Sequence, residues 1–241
     1  MSKPKRLEKT PMVDSICEIR FDPSLPSDIV PGAMTSALTS LNISEIQRLP
    51  ILDIPESARN IDPNLLHAPY YKAKIGDITF QFGARMVALS SPMPYIGWDV
   101  FQVEIRKILE KILEANIVIQ VNRVAIRTVN FFEVDVLEKS KFEVNTPISY
   151  DRSHYSYTDF YKDNELVIRT TIANNASIRE TSDSTERKGS IIDIDAYIEQ
   201  QVQADIDVIL ENIEKSHSGG KEVFFSLLKD EFIETLEPVN E

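Results

Sequence analysis

Five arginines on predicted strands are the residues whose type and spacing most readily suggest chemistry. They are Arg20, Arg85, Arg123, Arg127 and Arg169. Two of them, Arg123 and Arg127, lie in the otherwise apolar run NRVAIRTVNFFEV at 122–134. Residues two apart in a strand share a face, so both guanidiniums are expected on one side of it. A guanidinium is planar and can hold a carboxylate or a phosphate through two hydrogen bonds, which a lysine ammonium cannot do.

Sorting five predicted strands by alternate positions gives each of them an apolar face and a charged face. No lysine occurs at these charged-face positions. Asp193 and Asp195 share the charged face of the strand at 191–198, and both are candidate partners of the arginines, as is Glu18 of the strand at 15–21. In the segment 78–88, alternation assigns Met86 to the apolar face. Asn130 is assigned to the helix-covered side of its strand, where we expect it to be buried and to satisfy the backbone.

The charged face has three alternative interpretations. It could be a solvated sheet face with cross-strand ion pairs, each contributing about 0.2–1 kcal/mol. It could be a self-associating surface, since arginine is enriched at protein interfaces. It could also bind a phosphate or carboxylate, although Arg123 and Arg127 are about 13 Å apart along the strand and their side chains would have to converge over Ala125.

A phosphate- or nucleotide-handling enzyme is the alternative function, with Mg²⁺ held by Asp193 and Asp195 beside the arginines. The glycine-rich loops that cradle nucleotides are absent from the sequence. The three histidines, His67, His154 and His217, are singly placed and form no metal-binding motif. We therefore predict no catalytic residue, no resident metal and no cofactor.

The totals restrict the class of protein. With 26 basic and 38 acidic side chains, the net charge is −12, which argues against non-specific binding to nucleic acid. The single cysteine, Cys17, indicates a reducing compartment and is expected to be a small buried residue. The charged start MSKPKRLEK does not look like a secretory signal, and no apolar run approaches the roughly 18 residues that a membrane span needs. A cytoplasmic protein with no membrane contact is predicted.

The elements that would position the arginines follow from periodicity and turn residues. Helices are predicted at 27–42, 97–115 and roughly 199–215 and 219–236, the last two being separated around Ser218, Gly219 and Gly220. Hairpins are predicted to turn at 76–77 and 162–164, and the polar segment 174–190 is expected to be a mobile loop. Hairpins mixed with helices indicate an α+β fold, with a mostly antiparallel sheet and helices packed on one face. The order of elements indicates two topologically similar halves, 1–136 and 137–241, in one continuous domain.

Several of these segments carry a family resemblance that spans nearly the whole chain. The matching features are CEIRF at 17–21, the Gly97-Trp98 pair, the R-x-x-x-R-x-x-N strand, IDID at 192–195, and an ending with His217, Phe224 or Phe225, Leu236 and Pro238. As an ordered set they resemble a sporadically distributed prokaryotic family of conserved hypothetical proteins with no established activity. Thr128 stands where that family usually has tyrosine. The family's patchy distribution implies a mobile-element setting, such as a toxin–antitoxin or phage-defence locus.

Together, these observations predict a non-enzymatic binding or accessory protein that uses the arginine-rich sheet face. Its expected partner is a second copy of the chain, giving a homodimer, or another protein. The candidate ligand- or interface-binding residues are Arg20, Arg85, Arg123, Arg127, Arg169, Asp193 and Asp195.

Overall fold

Most of the strands of the protein form one large antiparallel sheet. The computed structural model describes residues 4–144, 154–179 and 186–240. Among them, ten strands form a sheet in the order β3-β4-β5-β6-β2-β7-β10-β9-β8, with β11 paired to β7, while β1 and β12 pair separately. The strands are β1 Arg6–Leu7, β2 Met12–Pro23, β3 Ser44–Arg48, β4 Tyr71–Ile75, β5 Ile78–Phe82, β6 Met86–Pro92, β7 Val118–Phe132, β8 Ser156–Asp163, β9 Leu166–Arg179, β10 Glu186–Ile198, β11 Val202–Gln203 and β12 Pro238–Val239.

Helices cover one face of this sheet. The helices are α1 Val30–Ala37, α2 Glu56–Ile61, α3 Pro63–Leu66, α4 Trp98–Glu114, α5 Val136–Lys139, α6 Ile206–Leu227 and α7 Asp230–Thr235. The helices α1, α4 and α6 pack on the side to which β2 and β7 direct their apolar residues. The predicted α+β class, with a mostly antiparallel sheet and helices on one face, is confirmed.

The helix α4 lies within one residue of its predicted limits at each end. Its buried residues recur every three or four positions and include Phe101, Ile105 and Ile112. Burying each such side chain contributes about 1.5–3 kcal/mol, so this stripe fixes which side of α4 meets the sheet. Gly97, at φ 86°, precedes the helix in a conformation that disfavours a side chain.

The hairpin at 76–77 is confirmed, but the segment after it contains a break. Gly76, at φ 56°, joins β4 to β5, and a second turn at 83–85 separates β5 from β6. This turn changes the alternation, so that Met86 pairs directly with Arg20 and shares its face. The assignment of Met86 to the apolar, helix-covered face was therefore wrong.

The polar segment at 174–190 is largely strand. Residues 174–179 extend β9 and residues 186–190 begin β10, while 180–185 lie outside the described residues. The expectation of a mobile loop was wrong for both parts, because ladder hydrogen bonds between backbones do not require apolar side chains. The register shifts at Gly189, where a Cβ would collide with the Phe132 carbonyl oxygen. A bulge built on glycine therefore lets β10 continue past the end of β7.

Gly219 and Gly220 do not separate two helices, as predicted, but lie inside the continuous helix α6. A Cβ on Gly219 would lie 2.5 Å from the Leu166 side chain, and one on Gly220 would lie 3.4 Å from Ala196 Cβ. These glycines therefore allow α6 to approach the sheet closely, a gain that offsets their low helix propensity.

Two hydrophobic clusters lie beneath the helices. The first contains Phe21, Phe80 and Phe101 and extends into the start of α6 through Ile209 and Ile213. The second gathers Phe132 of β7, Ile192 and Ile194 of β10, and aromatic residues late in α6. The strand β7 and the helix α6 contribute to both clusters. The division into halves at 136–137 stays a prediction.

Candidate functional site

Arg123 lies at the centre of the charged sheet surface and is only 7% exposed. Its Nη2 donates to both carboxylate oxygens of Asp195, at 3.0 and 2.9 Å, and its Nη1 donates to Glu18 Oε1 at 2.6 Å. The guanidinium carbon lies 4.5 Å from the centre of the Tyr197 ring. This arginine is therefore shared between two acidic residues of neighbouring strands while stacking on an aromatic ring.

Arg127 and Arg169 continue the pattern but are more open to solvent. Arg127 holds Asp193 through two parallel bonds, from Nε at 2.8 Å and from Nη2 at 2.6 Å. Arg169 reaches Asp195 at 3.4 Å. The side chains of both arginines are 43% exposed. Charge and hydrogen bonding from Asp193 raise the pKa of Arg127, so its charge is secure.

Arg20 and Arg85 lie on the β2 side of the same surface. Arg20 Nε donates to Glu18 Oε1 at 2.7 Å, so Glu18 serves both Arg20 and Arg123. Arg85 Nη1 donates to Asp22 at 3.1 Å, where Gln120 also donates to the carboxylate at 2.6 Å. The structure thus brings all seven predicted residues onto one surface. We call this surface the arginine face and define it by those seven residues together with Glu18 and Asp22.

The pairing across this face is diagonal as well as direct. In register, Asp195 lies opposite both Arg127 on β7 and Arg169 on β9. The two closest hydrogen bonds of Asp195 nevertheless come from Arg123, which lies four residues from Arg127 along β7. The side chain of Arg123 passes over the Tyr197 ring to reach Asp195. Long side chains can reach diagonal neighbours across a sheet, so strand pairing alone does not determine the partners.

This arrangement limits the chemistry that the arginine face can perform. Both oxygens of Asp193 and of Asp195 already accept hydrogen bonds from guanidiniums. A magnesium ion bound there would have to displace those bonds. Within 4–144, 154–179 and 186–240, no group of three or more His, Cys, Asp or Glu side chains is placed to hold a metal ion. Cys17 is fully buried, and burial raises the pKa of its thiol, which makes it a poor nucleophile.

A second candidate site lies on the opposite, helix-covered side of the sheet. It is a cavity of about 740 Å³, walled by β2, β7, the start of α4, the second half of α6 and the segment at 5–12. Ile126 of the first hydrophobic cluster and Phe224 and Phe225 of the second all line it. We call it the inter-cluster cavity. Its volume lies within the range of about 300–1,000 Å³ that is usual for ligand pockets.

One wall of the inter-cluster cavity is a stacked aromatic pair. The rings of Trp98 and His217 lie 3.6 Å apart, with 6° between their planes. Glu214 contacts both rings of the pair: it accepts from Trp98 Nε1 at 3.2 Å, and its Oε1 lies 3.6 Å from His217 Nδ1. It also accepts from Ser218 Oγ at 2.9 Å. Burial lowers the pKa of His217, with the nearby Glu214 carboxylate acting in the opposite direction, so the imidazole is neutral at pH 7.

The sheet side of the inter-cluster cavity carries uncharged polar groups. Asn130 is 2% exposed, and its Nδ2 donates to the Ile192 carbonyl oxygen at 3.3 Å. The prediction that Asn130 is buried and satisfies the backbone is confirmed. Thr128 lies two residues earlier on the same face and also lines the cavity. Ser15 is 1% exposed, and burial raises the pKa of Tyr95 to about 12, with the nearby Ser15 side chain acting in the opposite direction.

Sequence reasoning did not find the inter-cluster cavity, although a signal was present. The segments that carry the family resemblance supply Gly97, Trp98, Asn130, His217 and Phe224, and all five line the cavity. A second signal was the pair Thr128 and Asn130, two polar residues on a strand face that should otherwise be apolar. Each of these residues has an ordinary structural explanation when it is considered alone. Only the fold brings them together around one cavity.

Comparison of the chain with protein-family models and with curated proteins gives no match. The family resemblance therefore stays a prediction. Among the described residues, no helix is long and apolar enough to cross a membrane.

Proposed function

We propose that the protein acts by binding, and that a second copy of the chain docks on its arginine face to form a homodimer. The supporting observation is the mixture of charges on and beside this face. The cations are Arg20, Lys72, Arg85, Arg123, Arg127, Lys162 and Arg169, and the anions are Asp14, Glu18, Asp22, Asp193 and Asp195. A surface on which acidic groups alternate with basic ones is poorly suited to a polyanion. It is well suited to its own copy, because a twofold axis can place each acidic group against a basic one.

The size of the surface supports the same proposal. The five strands β2, β7, β10, β9 and β8 span four interstrand spacings, or about 19 Å. The nine residues at 14–22 of β2 extend about 30 Å along the strand. The product is about 570 Å² per partner, or about 1,140 Å² in total, before side-chain relief is counted, which exceeds the roughly 1,000 Å² in total that a biological interface needs.

The side chains on this surface are also held ready for binding. Arg127 is partly exposed, yet two hydrogen bonds anchor it to Asp193, so little of its side-chain entropy remains to be lost on association. Phe160 of β8 lies directly opposite Arg169 and is 61% exposed. Arginine and aromatic side chains are the types most enriched at interfaces, and here they lie side by side.

The alternative, a phosphate-handling enzyme, has less support. It needs Asp193 and Asp195 to be free for Mg²⁺, and both are engaged by guanidiniums. The accessory role in a toxin–antitoxin or phage-defence locus stays a prediction, and a dimeric binding protein is compatible with it.

Sedimentation equilibrium on the wild-type chain and on two matched variants tests the proposal. Phe160→Ser removes an exposed apolar side chain from the proposed interface, whereas Val103→Ser removes one that is 58% exposed on α4, on the helix side. We expect wild type and Val103→Ser to be dimers, and Phe160→Ser to raise the dimer dissociation constant about ten-fold or more. A monomeric wild type, or equal weakening by both substitutions, would refute the proposed interface.

A further inference from the structure

We propose that the inter-cluster cavity is a binding site for an uncharged aromatic molecule that carries an amide or lactam group. This site lies on the opposite side of the sheet from the arginine face, so the inference does not depend on dimerisation. It rests on three features of the cavity: its unpartnered polar groups, the position of its charges and the aromatic composition of its walls.

The polar groups at the sheet side of the cavity have hydrogen-bonding capacity left over. Asn130 uses one N–H of its amide on the Ile192 carbonyl, which orients the side chain. Within the part of the chain that the structure describes, no group donates to Asn130 Oδ1, and Thr128 Oγ1 has no protein partner. A buried asparagine amide with its acceptor and one donor unused can bind a group that presents one donor and one acceptor. Amides and lactams have that pattern.

The charges that line the cavity are already engaged or lie towards solvent. Glu214 is held by Trp98 and Ser218, and Lys221 Nζ donates to the Lys5 carbonyl oxygen at 2.8 Å. The buried polar residues that face the ligand, Asn130 and Ser15, are uncharged. Burying a carboxylate or an ammonium against them would leave a charge without a partner, which is costly. The buried part of the ligand is therefore neutral.

The walls favour a planar, aromatic body. Trp98, Tyr95, Phe224 and Phe225 line the cavity, and the stack of Trp98 on His217 gives it a flat surface. Aromatic rings contact one another favourably in offset or edge-on arrangements. An aromatic ligand with its amide directed at Asn130 satisfies the polar and the apolar lining together.

The sole tryptophan provides a direct readout, because Trp98 lines the cavity and gives a single indole N–H signal in a ¹H–¹⁵N NMR spectrum. Three probes of similar shape would be titrated: benzamide, acetophenone, which keeps the carbonyl but lacks the N–H, and benzoate, which is charged. We expect benzamide to shift the Trp98 signal saturably, with a dissociation constant of about 1 mM, as is usual for so small a ligand. Acetophenone and benzoate should each bind at least about five-fold more weakly than benzamide does.

Two threonine variants provide matched controls. Thr128→Val removes a cavity hydroxyl with little change in shape, and we expect benzamide binding to weaken about five-fold. Thr79→Val makes the same change on β5, on the other face of the sheet, and should leave benzamide binding unchanged. Equal affinity for benzamide and acetophenone, or an equal effect of the two threonine variants, would overturn the recognition of an amide. The absence of any saturable shift of Trp98 would overturn the site itself.

Discussion

Replacing Arg123 with leucine tests whether the arginine face contributes to the stability of the fold. The substitution keeps an apolar side chain in the space of the arginine stem but removes its bonds to Asp195 and Glu18. Glu18 retains Arg20 at 2.7 Å, whereas among the described residues Asp195 retains only the 3.4 Å contact with Arg169 and the nearby charge of Arg127. The variant therefore leaves a largely buried carboxylate without a close hydrogen-bond partner.

The expected loss of stability in Arg123→Leu follows from the burial of the two charges. The side chains of Arg123 and Asp195 are 8% and 12% exposed, so neither charge is well solvated in the folded state. Removing one partner of a buried ion pair destabilises a protein by about 3–5 kcal/mol. Because 1 kcal/mol shifts the Tm of a chain of this size by about 2–4 °C, the Tm should fall by about 6–20 °C.

Urea unfolding, followed by Trp98 fluorescence and by circular dichroism, would measure this cost. Arg85→Leu is the matched control, because the side chains of Arg85 and Asp22 are 33% and 36% exposed and Asp22 keeps its hydrogen bond from Gln120. We expect that variant to lose only about 1 kcal/mol. The double variant Arg123→Leu/Asp195→Leu removes both buried charges and should be about 2 kcal/mol more stable than Arg123→Leu alone.

Two results would refute this reasoning. If Arg123→Leu were no less stable than Arg85→Leu, the burial of the unpaired carboxylate would not determine the loss of stability. If the double variant were as unstable as the single one, the cost would come from lost packing over Tyr197 instead of from the unpaired Asp195 carboxylate. The dimer dissociation constants of all variants should be measured alongside, because association would add to apparent stability.

Two further predictions concern the sheet bulge and the cavity wall. Gly189→Ala places a Cβ against the Phe132 carbonyl oxygen, and we expect it to cost on the order of 3 kcal/mol in urea unfolding. For His217, burial lowers the folded-state pKa below the ordinary 6.5, so the unfolded chain binds a proton first as the pH falls. Stability should therefore decline as the pH falls below about 6.5, and His217→Gln should decline less steeply. Equal slopes of stability against pH for wild type and His217→Gln would contradict the assignment of this pH dependence to His217. Wild-type stability of Gly189→Ala would contradict the close approach of Gly189 to the Phe132 carbonyl oxygen.

Much of the arginine face could be predicted from local sequence. Alternation along a strand is a property of the backbone, so it assigns Arg123 and Arg127 to one face and Asn130 to the other without any knowledge of neighbours. The same rule failed at Met86, because the turn at 83–85 interrupts the strand and alternation cannot be carried across it. The carboxylates Asp193, Asp195 and Glu18 were predicted as candidate partners of the arginines, but which arginine each one holds could not be predicted, since that depends on strand order, register and diagonal reach.

The inter-cluster cavity shows why the rest required the tertiary structure. Its walls come from segments that are far apart in the sequence, near residues 5–12, 95–100, 126–130 and 214–225. A single Trp98, His217 or Asn130 is an ordinary core or surface residue when taken alone. The sequence by itself determined the class of fold, the helix α4 and the arginines that share a face, because each depends on interactions between near neighbours along the chain. The tertiary structure alone decided which carboxylate each arginine holds, why Gly219 and Gly220 lie inside a helix, and where the cavity forms, because each depends on how closely distant segments approach.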